Sequence, residues 1–296
     1  MTRGAPIHVF GQDFQNPILL AAGTAGFGHE VAGVIDLDRL GGLITKAVSP
    51  EPRAGNPAPR VAEFSGGMLN AVGLANPGLD DVASVELPWL AENLQRARVI
   101  VNVVGFAVAD YATVVERLDS QDVVTAFELN VSCPNTDRGG EEFGADVAIL
   151  TDLVRRCRDV TSRPLVVKLA PTLTDMTGAA LAAAEAGADG FSVINTIPGT
   201  LYRFDDETDG DPQARLGFGR GGVSGPALLA VGVLATRQVR ERTGLPVIGV
   251  GGVRCTADVR QYLTAGASLV AVGTSAMADP RVPERLVSEL EGAWRS

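Results

Sequence analysis

Histidine is almost missing from this chain of 296 residues, with His8 and His29 its two copies. That removes most of the raw material for histidine-rich metal sites and for Ser-His-Asp hydrolysis. Cysteine is scarce as well. Cys133, Cys157 and Cys255 lie far apart, without the C-x-x-C spacing that suggests zinc, an iron–sulfur cluster or a disulfide framework, so a special cysteine here must act alone. No metal site is expected. Basic residues are outnumbered, 25 against 35 acidic, for a formal net charge of −10. A nucleic-acid footprint or an anionic-membrane surface needs basic patches, so neither partner is expected. No segment offers the roughly 18 uninterrupted apolar residues of a membrane helix, and the opening MTRGAPIHVFGQDF has no apolar stretch of signal-peptide length. The expected location is the cytoplasm.

Lysine is the most informative scarcity. Of the 25 basic residues only Lys46 and Lys168 are lysines, which leaves 23 arginines. A chain that uses arginine everywhere else apparently needs an ammonium at those two positions, where a compact charge on a flexible stem suits an anionic cofactor or substrate at close range.

What is present fits an ordinary globular protein. Hydrophobic residues make up 46% and charged residues 20%, enough to bury a core, and the length suits one barrel of alternating strands and helices. The expectation is a single domain over residues 1–296. Short, nearly all-apolar, β-branched runs occur at 18–22, 43–47, 99–104, 126–131, 165–169, 190–194, 247–250 and 269–272, as strands covered on both faces require. Between them lie helical patterns, among them 146–160, 175–186, 226–242 and 257–265, opened by Ser, Thr or Asp and several closed by Gly. A weak internal echo, Ala184-Glu185-Ala186-Gly187-Ala188-Asp189 and Leu263-Thr264-Ala265-Gly266-Ala267-Ser268, reads twice as helix, glycine stop, then strand. Eight β-then-α units predict an α/β fold, a closed parallel (β/α)8 TIM barrel; an open doubly wound sheet is the alternative.

Three connections, 48–72, 132–144 and 196–225, are too long for plain turns and follow strand ends. In a barrel those loops build the active-site face, so they are candidate walls and lids. Polar residues gather at the same end: Lys46, Asn102, Asn130, Lys168 and Asn195 come from five successive strands. Buried amides and ammonium groups need partners, and a polar heterocycle could supply them. The last two strands run into Gly249-Val250-Gly251-Gly252 and Gly273-Thr274, and in barrels these two loops frequently bind phosphate. A phosphate at one end and amides at the other suit FMN. Cys133 stands just past a strand end, on a loop with Pro134, Asn135, Gly139 and Gly140, and with so little histidine its thiol is the most plausible proton acceptor. Cys157 and Cys255 read more simply as structural.

At this point a family resemblance becomes specific. Thr45-Lys46-Ala47-Val48-Ser49-Pro50-Glu51-Pro52-Arg53, Gly67-Met68-Leu69-Asn70-Ala71-Val72-Gly73-Leu74-Ala75-Asn76-Pro77-Gly78 and Asn130-Val131-Ser132-Cys133-Pro134-Asn135 resemble dihydroorotate dehydrogenase motifs. So do Ile194-Asn195-Thr196, Gly221-Gly222-Val223-Ser224-Gly225-Pro226, the two glycine loops above and their family order. Cysteine at 133 marks the soluble class, and the 70–78 run with Gly139-Gly140 and Phe143-Gly144 looks most like its NAD-linked type.

The resemblance implies oxidation of dihydroorotate to orotate in pyrimidine biosynthesis, with Cys133 removing a proton from C5 while a hydride leaves C6 for FMN. Lys46, Asn70, Ala71, Val72, Gly73, Leu74, Asn130, Asn195 and Thr196 would hold the substrate. Ala22, Lys46, Ala47, Asn102, Asn130, Lys168 and Ile194 would line the flavin, and Gly225, Gly251, Gly252, Gly273 and Thr274 would lead to its phosphate. Lys168 would stabilise negative charge on reduced flavin. The family usually has serine where Ala22 stands, so only a backbone contact survives there, and the 202–220 stretch, rich in acid and arginine, matches the family poorly. Also implied are a homodimer and a partner subunit carrying FAD and [2Fe-2S] that passes electrons to NAD, giving a heterotetramer. Alternatives are a related FMN dehydrogenase for another dihydropyrimidine or cyclic amide, a phosphate-binding barrel lyase or isomerase with Lys168 forming a Schiff base, and a non-catalytic binding barrel.

Overall fold

A computed structural model describes residues 6–132, 134–135, 141–204 and 212–295. Eight parallel strands close into a barrel: Ile18–Leu20, Gly42–Ile44, Arg98–Val103, Val124–Asn130, Leu165–Leu169, Gly190–Val193, Val247–Val250 and Leu269–Val272, the eighth pairing back onto the first. All eight expected runs become strands, with ends moved by a few residues. Closure, which leaves no free edge, decides for the barrel over the open sheet.

The alternation of side chains explains the apolar strands. Val99, Val101, Val103, Phe127, Leu129, Val167, Phe191 and Val193 face out into the layer shared with the helices. Leu19, Ile44, Ile100, Ala126, Val166, Ile248 and Leu269 face in and form a second core with Val9, Phe10 and Phe14. Those last three belong to an antiparallel hairpin, Ile7–Val9 with Gln12–Phe14, which plugs the barrel where the strands begin. Polar groups inside the barrel are therefore confined to the far end.

The helices follow their sequence signals. Val147–Asp159 starts at Asp146, whose carboxylate accepts from the Ala148 and Ile149 N–H groups, and Met176–Glu185 starts at Asp175, which accepts from Gly178. The repeated echo is one device used twice. Gly187 and Gly266 take φ of 112° and 98°, and the residue after each donates back five positions, Ala188 to Ala183 and Ala267 to Tyr262. Left-handed glycine with that back-bond ends a helix and turns the chain into a strand. The first unit departs from the expected β-then-α order. Between Ile18–Leu20 and Gly42–Ile44 there are turns and a three-residue 3-10 helix, Leu37–Arg39, in place of a full crossover helix.

Two of the long loops meet. Val61–Phe64 and Gly67–Asn70, after the second strand, pair with Gly221–Ser224, which pairs in turn with Ile197–Gly199 after the sixth. The result is a four-stranded antiparallel sheet with its own small core of Ala62, Leu69, Ala71 and Leu216. Two of the three expected walls are one structure, while much of the third, 132–144, lies outside the described residues. Among the described residues no helix is long and apolar enough to cross a membrane.

Candidate active site at the barrel mouth

Counting two residues onward from the inward apolar layer gives a polar layer. Lys46 follows Ile44, Asn102 follows Ile100, Glu128 and then Asn130 follow Ala126, and Lys168 follows Val166. A period of two places all of these on the inner face near the strand ends, above the plug. Ser192 joins them, since its neighbours Phe191 and Val193 face outward.

Glu128 escaped the sequence reading and is the centre of this layer. It is fully buried, accepts from Asn102 Nδ2 at 2.6 Å, and lies 3.6 Å from Lys168 Nζ through the same Oε1. Asn102 and Lys168 are themselves nearly enclosed, at 1% and 7% exposure. The missed signal was the alternation Ala126-Phe127-Glu128-Leu129-Asn130, in which a charge occupies an inward position of an otherwise apolar strand. A carboxylate can only accept, so the contact fixes the Asn102 amide: Nδ2 turns to Glu128 and Oδ1 is left to meet a ligand as an acceptor.

Asn130 is oriented by a second chain of bonds. The Thr196 N–H donates to Asn195 Oδ1 at 2.8 Å, which leaves Asn195 Nδ2 to donate to Asn130 Oδ1 at 3.3 Å. Asn130 therefore has its Nδ2 donors to offer. Tyr111 Oη donates to the Asn130 carbonyl at 2.8 Å and ties the strand end down. The fourth, fifth and sixth strands thus bring Asn130, Lys168 and Asn195 to adjoining positions.

Lys46 is half-buried; its N–H donates to the Gly26 carbonyl at 2.7 Å, and among the described residues no carboxylate lies within 4 Å of its ammonium. Neighbouring Ala47 is buried. Asn70 belongs to the sheet above the barrel and donates to the Gly222 carbonyl at 3.3 Å. The Ala71–Val72–Gly73–Leu74 turn beyond it includes Gly73 at φ 74° and Leu74 at φ 57°, the latter rare for a residue with a side chain. Asn76 holds that turn, donating to the Leu74 carbonyl and Ser49 Oγ and accepting from the Ser49 and Gly78 N–H groups.

The glycine loops follow the seventh and eighth strands, opposite the third and fourth in the closed order of the barrel. Ile194 is buried against Gly251, where an added Cβ would stand 3.5 Å from Ile194 Cγ1. Gly252 has φ of 75°, and a Cβ there would stand 2.6 Å from the Leu229 nitrogen. Gly225 packs on Gly67 at backbone distance, with a Cβ meeting Gly67 Cα at 2.7 Å. Gly273 differs: a Cβ would find only Ala21 Cβ at 3.7 Å and Thr24 Oγ1 at 3.9 Å. Among the described residues no atom stands close enough to require glycine at 273, which leaves space beside it for a ligand. Ala22 lies in the turn between Ala21 and Thr24, where the Ala21 N–H donates to the Val272 carbonyl, and Thr274 Oγ1 donates to Ser224 Oγ at 2.8 Å.

Cys133 lies outside the described residues, as do Gly139 and Gly140. Ser132, its neighbour, has a buried hydroxyl with no hydrogen-bond partner among the described residues. The other two cysteines differ from each other. Burial pushes the Cys157 thiol up to about 12 against a weaker pull from Arg158, which makes it inert, whereas Cys255 is exposed at the start of the Thr256–Thr264 helix.

With the geometry in place, comparison with known proteins is direct. A family model described as dihydroorotate dehydrogenase matches residues 5–293. A protein of Listeria monocytogenes serotype 4b, named dihydroorotate dehydrogenase B (NAD(+)), catalytic subunit, is 44% identical over 284 residues, covering 96% of this chain and 91% of its own. Proteins with the same name from Cutibacterium acnes and Geobacillus kaustophilus are each 44% identical, over 98% and 95% of this chain and 93% and 87% of theirs.

Proposed function

The chain belongs to the dihydroorotate dehydrogenase family, and from that premise we propose that its barrel mouth binds FMN and oxidises dihydroorotate to orotate in pyrimidine synthesis. The observation that carries this reading is the inward polar layer of Lys46, Asn102, Glu128, Asn130 and Lys168 above an apolar plug, facing glycine loops with ligand room at Gly273. A flavin's fused ring offers donors and acceptors to the amides, and its phosphate suits backbone N–H groups in the glycine loops.

In this reading Ala22, Lys46, Ala47, Asn102, Asn130, Lys168 and Ile194 hold the ring and ribityl chain, and Gly225, Gly251, Gly252, Gly273 and Thr274 hold the phosphate. FMN, when bound, supplies the acceptor for the hydride from C6 of the substrate. Everything else falls to the chain. Lys46, free of a carboxylate partner among the described residues, meets the substrate's carboxylate, and Asn70, Asn130, Asn195 and Thr196 orient its ring amides with the Ala71–Leu74 turn beside them. Cys133, as thiolate, takes the proton from C5. The sheet formed by the loops after the second and sixth strands excludes water from one side.

The relatives' names call them catalytic subunits of an NAD(+)-linked enzyme. We extend that to this chain: one domain over 1–296, cytoplasmic, paired as a homodimer and joined to an electron-transfer subunit that carries FAD and [2Fe-2S] and reduces NAD. The test is anaerobic. The purified chain should be yellow with FMN, and dihydroorotate should bleach it. Cys133→Ala should keep FMN and slow bleaching by about 10²–10⁴-fold, and the parent rate should rise with pH as the thiol ionises. An Ala variant that bleaches at the parent rate, or a colourless parent that does not take up FMN, refutes the proposal.

A further inference from the structure

We infer that Glu128 is a positioning residue that sets the charge balance at Lys168 and the facing of the Asn102 amide, and so the preference of the site for reduced over oxidised flavin. The inference rests on the FMN reading above.

Glu128 does more than fill space. One oxygen, Oε1, serves both Asn102 Nδ2 at 2.6 Å and Lys168 Nζ at 3.6 Å, while Oε2 is buried and has no hydrogen-bond partner among the described residues. A carboxylate enclosed this way loses its hydration, and an apolar side chain such as Ala126, two positions earlier on the same inner face, would avoid that loss. Packing alone gives no reason for a charge here.

Its placement gives one. At 3.6 Å the Lys168–Glu128 contact is an ion pair but too long for a good hydrogen bond, so the Lys168 N–H groups are not committed to it. The pair therefore presents donors to the ring while cancelling much of the ammonium's field. Oxidised flavin is neutral in its ring, whereas the reduced ring carries negative charge that a full positive charge at Lys168 would favour. Glu128 restrains that bias, and by holding Nδ2 of Asn102 it presents Asn102 Oδ1 to the ring as an acceptor. Ser192, beside Lys168 in the barrel register and with a buried hydroxyl that has no partner among the described residues, adds no countercharge.

The experiment measures the midpoint potential of bound FMN in the whole purified protein by equilibration with reference dyes. Glu128→Gln keeps an acceptor for Asn102 and removes the charge. It should raise the ratio of reduced-to-oxidised FMN affinity about tenfold, a positive shift of about 30 mV for the two-electron couple, with FMN retained. Glu128→Asp keeps the charge but draws it back from Lys168 by one methylene, and should move the potential in the same direction by roughly a third as much. A merely structural role would lower the melting temperature of both variants and leave both potentials at the parent value. That result overturns the inference. If the Gln variant does not accumulate folded, an Asp variant with the parent potential overturns it equally. A parent that holds no flavin would sink the FMN reading itself, a different failure from a flavin-loaded variant with an unmoved potential.

Discussion

Two glycines in the loops proposed to hold the phosphate should respond to the same substitution in opposite ways. At Gly252 the chain has φ of 75°, where an L-residue costs about 1–2 kcal/mol, and an alanine Cβ would lie 2.6 Å from the Leu229 nitrogen and 2.8 Å from its Cα and Cβ. Ordinary contact begins near 3.4 Å, so the start of the Leu229–Thr243 helix must retreat by about 0.8 Å, an overpacking cost of about 1–3 kcal/mol. Together these come to roughly 2–5 kcal/mol, which lowers the melting temperature of the flavin-free protein by roughly 3–8 °C at this size. At Gly273 the same Cβ meets only Ala21 Cβ at 3.7 Å and Thr24 Oγ1 at 3.9 Å, both ordinary contacts. Gly273→Ala should melt within about 0.5 kcal/mol of the parent. It should nonetheless weaken FMN binding by about tenfold, or 1.4 kcal/mol, because on the proposed placement the methyl occupies the side from which the phosphate would approach. Differential scanning calorimetry of deflavinated protein, with titration of FMN by fluorescence quenching, separates the two effects. Parent-like FMN affinity in Gly273→Ala would refute the assignment of the phosphate to this loop. A parent-like melting temperature in Gly252→Ala would refute the steric reasoning.

Two further outcomes concern the scaffold. Burial works against the Asp38 carboxylate, but N–H groups of Ala97, Arg96 and Gln95 and the Arg96 side chain outweigh it and hold its pKa below the ordinary value. A depressed folded pKa gives stability that is present above the unfolded value and lost as pH falls through the folded one. Asp38→Asn should therefore destabilise by roughly 2 kcal/mol at pH 7 in urea unfolding and converge with the parent in strong acid; an equal gap at all pH values would contradict this. In a Cys133→Ala background, a thiol reagent at pH 8 should label exposed Cys255 and spare Cys157, whose thiol is pushed up to about 12, until the protein is unfolded. Labelling of Cys157 in the native state would show that its helix opens or that the burial is wrong.

Much of the barrel was legible because its signals are local. A strand covered on both faces must be apolar throughout, and a helix that ends on a left-handed glycine leaves that glycine in the sequence, as at Gly187 and Gly266. Lys46, Asn102, Asn130 and Lys168 could be placed at one mouth because strand ends were known and all strands run in parallel. Glu128 is hard to see in the sequence because it sits mid-run in an apolar strand, where only the two-residue alternation marks it as inward-facing. The first crossover has a short 3-10 helix in place of a full one, and Gly23, Gly26, Gly28 and Gly33 interrupt any helical run there.

The amino-acid order by itself determined the eight strands and their helix stops, since each depends on neighbours within a few residues. Tertiary structure alone decided three things: that the cylinder closes, that Gly67–Asn70 and Gly221–Ser224, about 150 positions apart, pair into one wall, and that Asn102, Glu128 and Lys168 meet around a single carboxylate oxygen. Each joins segments distant along the chain, and such contacts are fixed by how the barrel curls and by which faces of its strands turn inward.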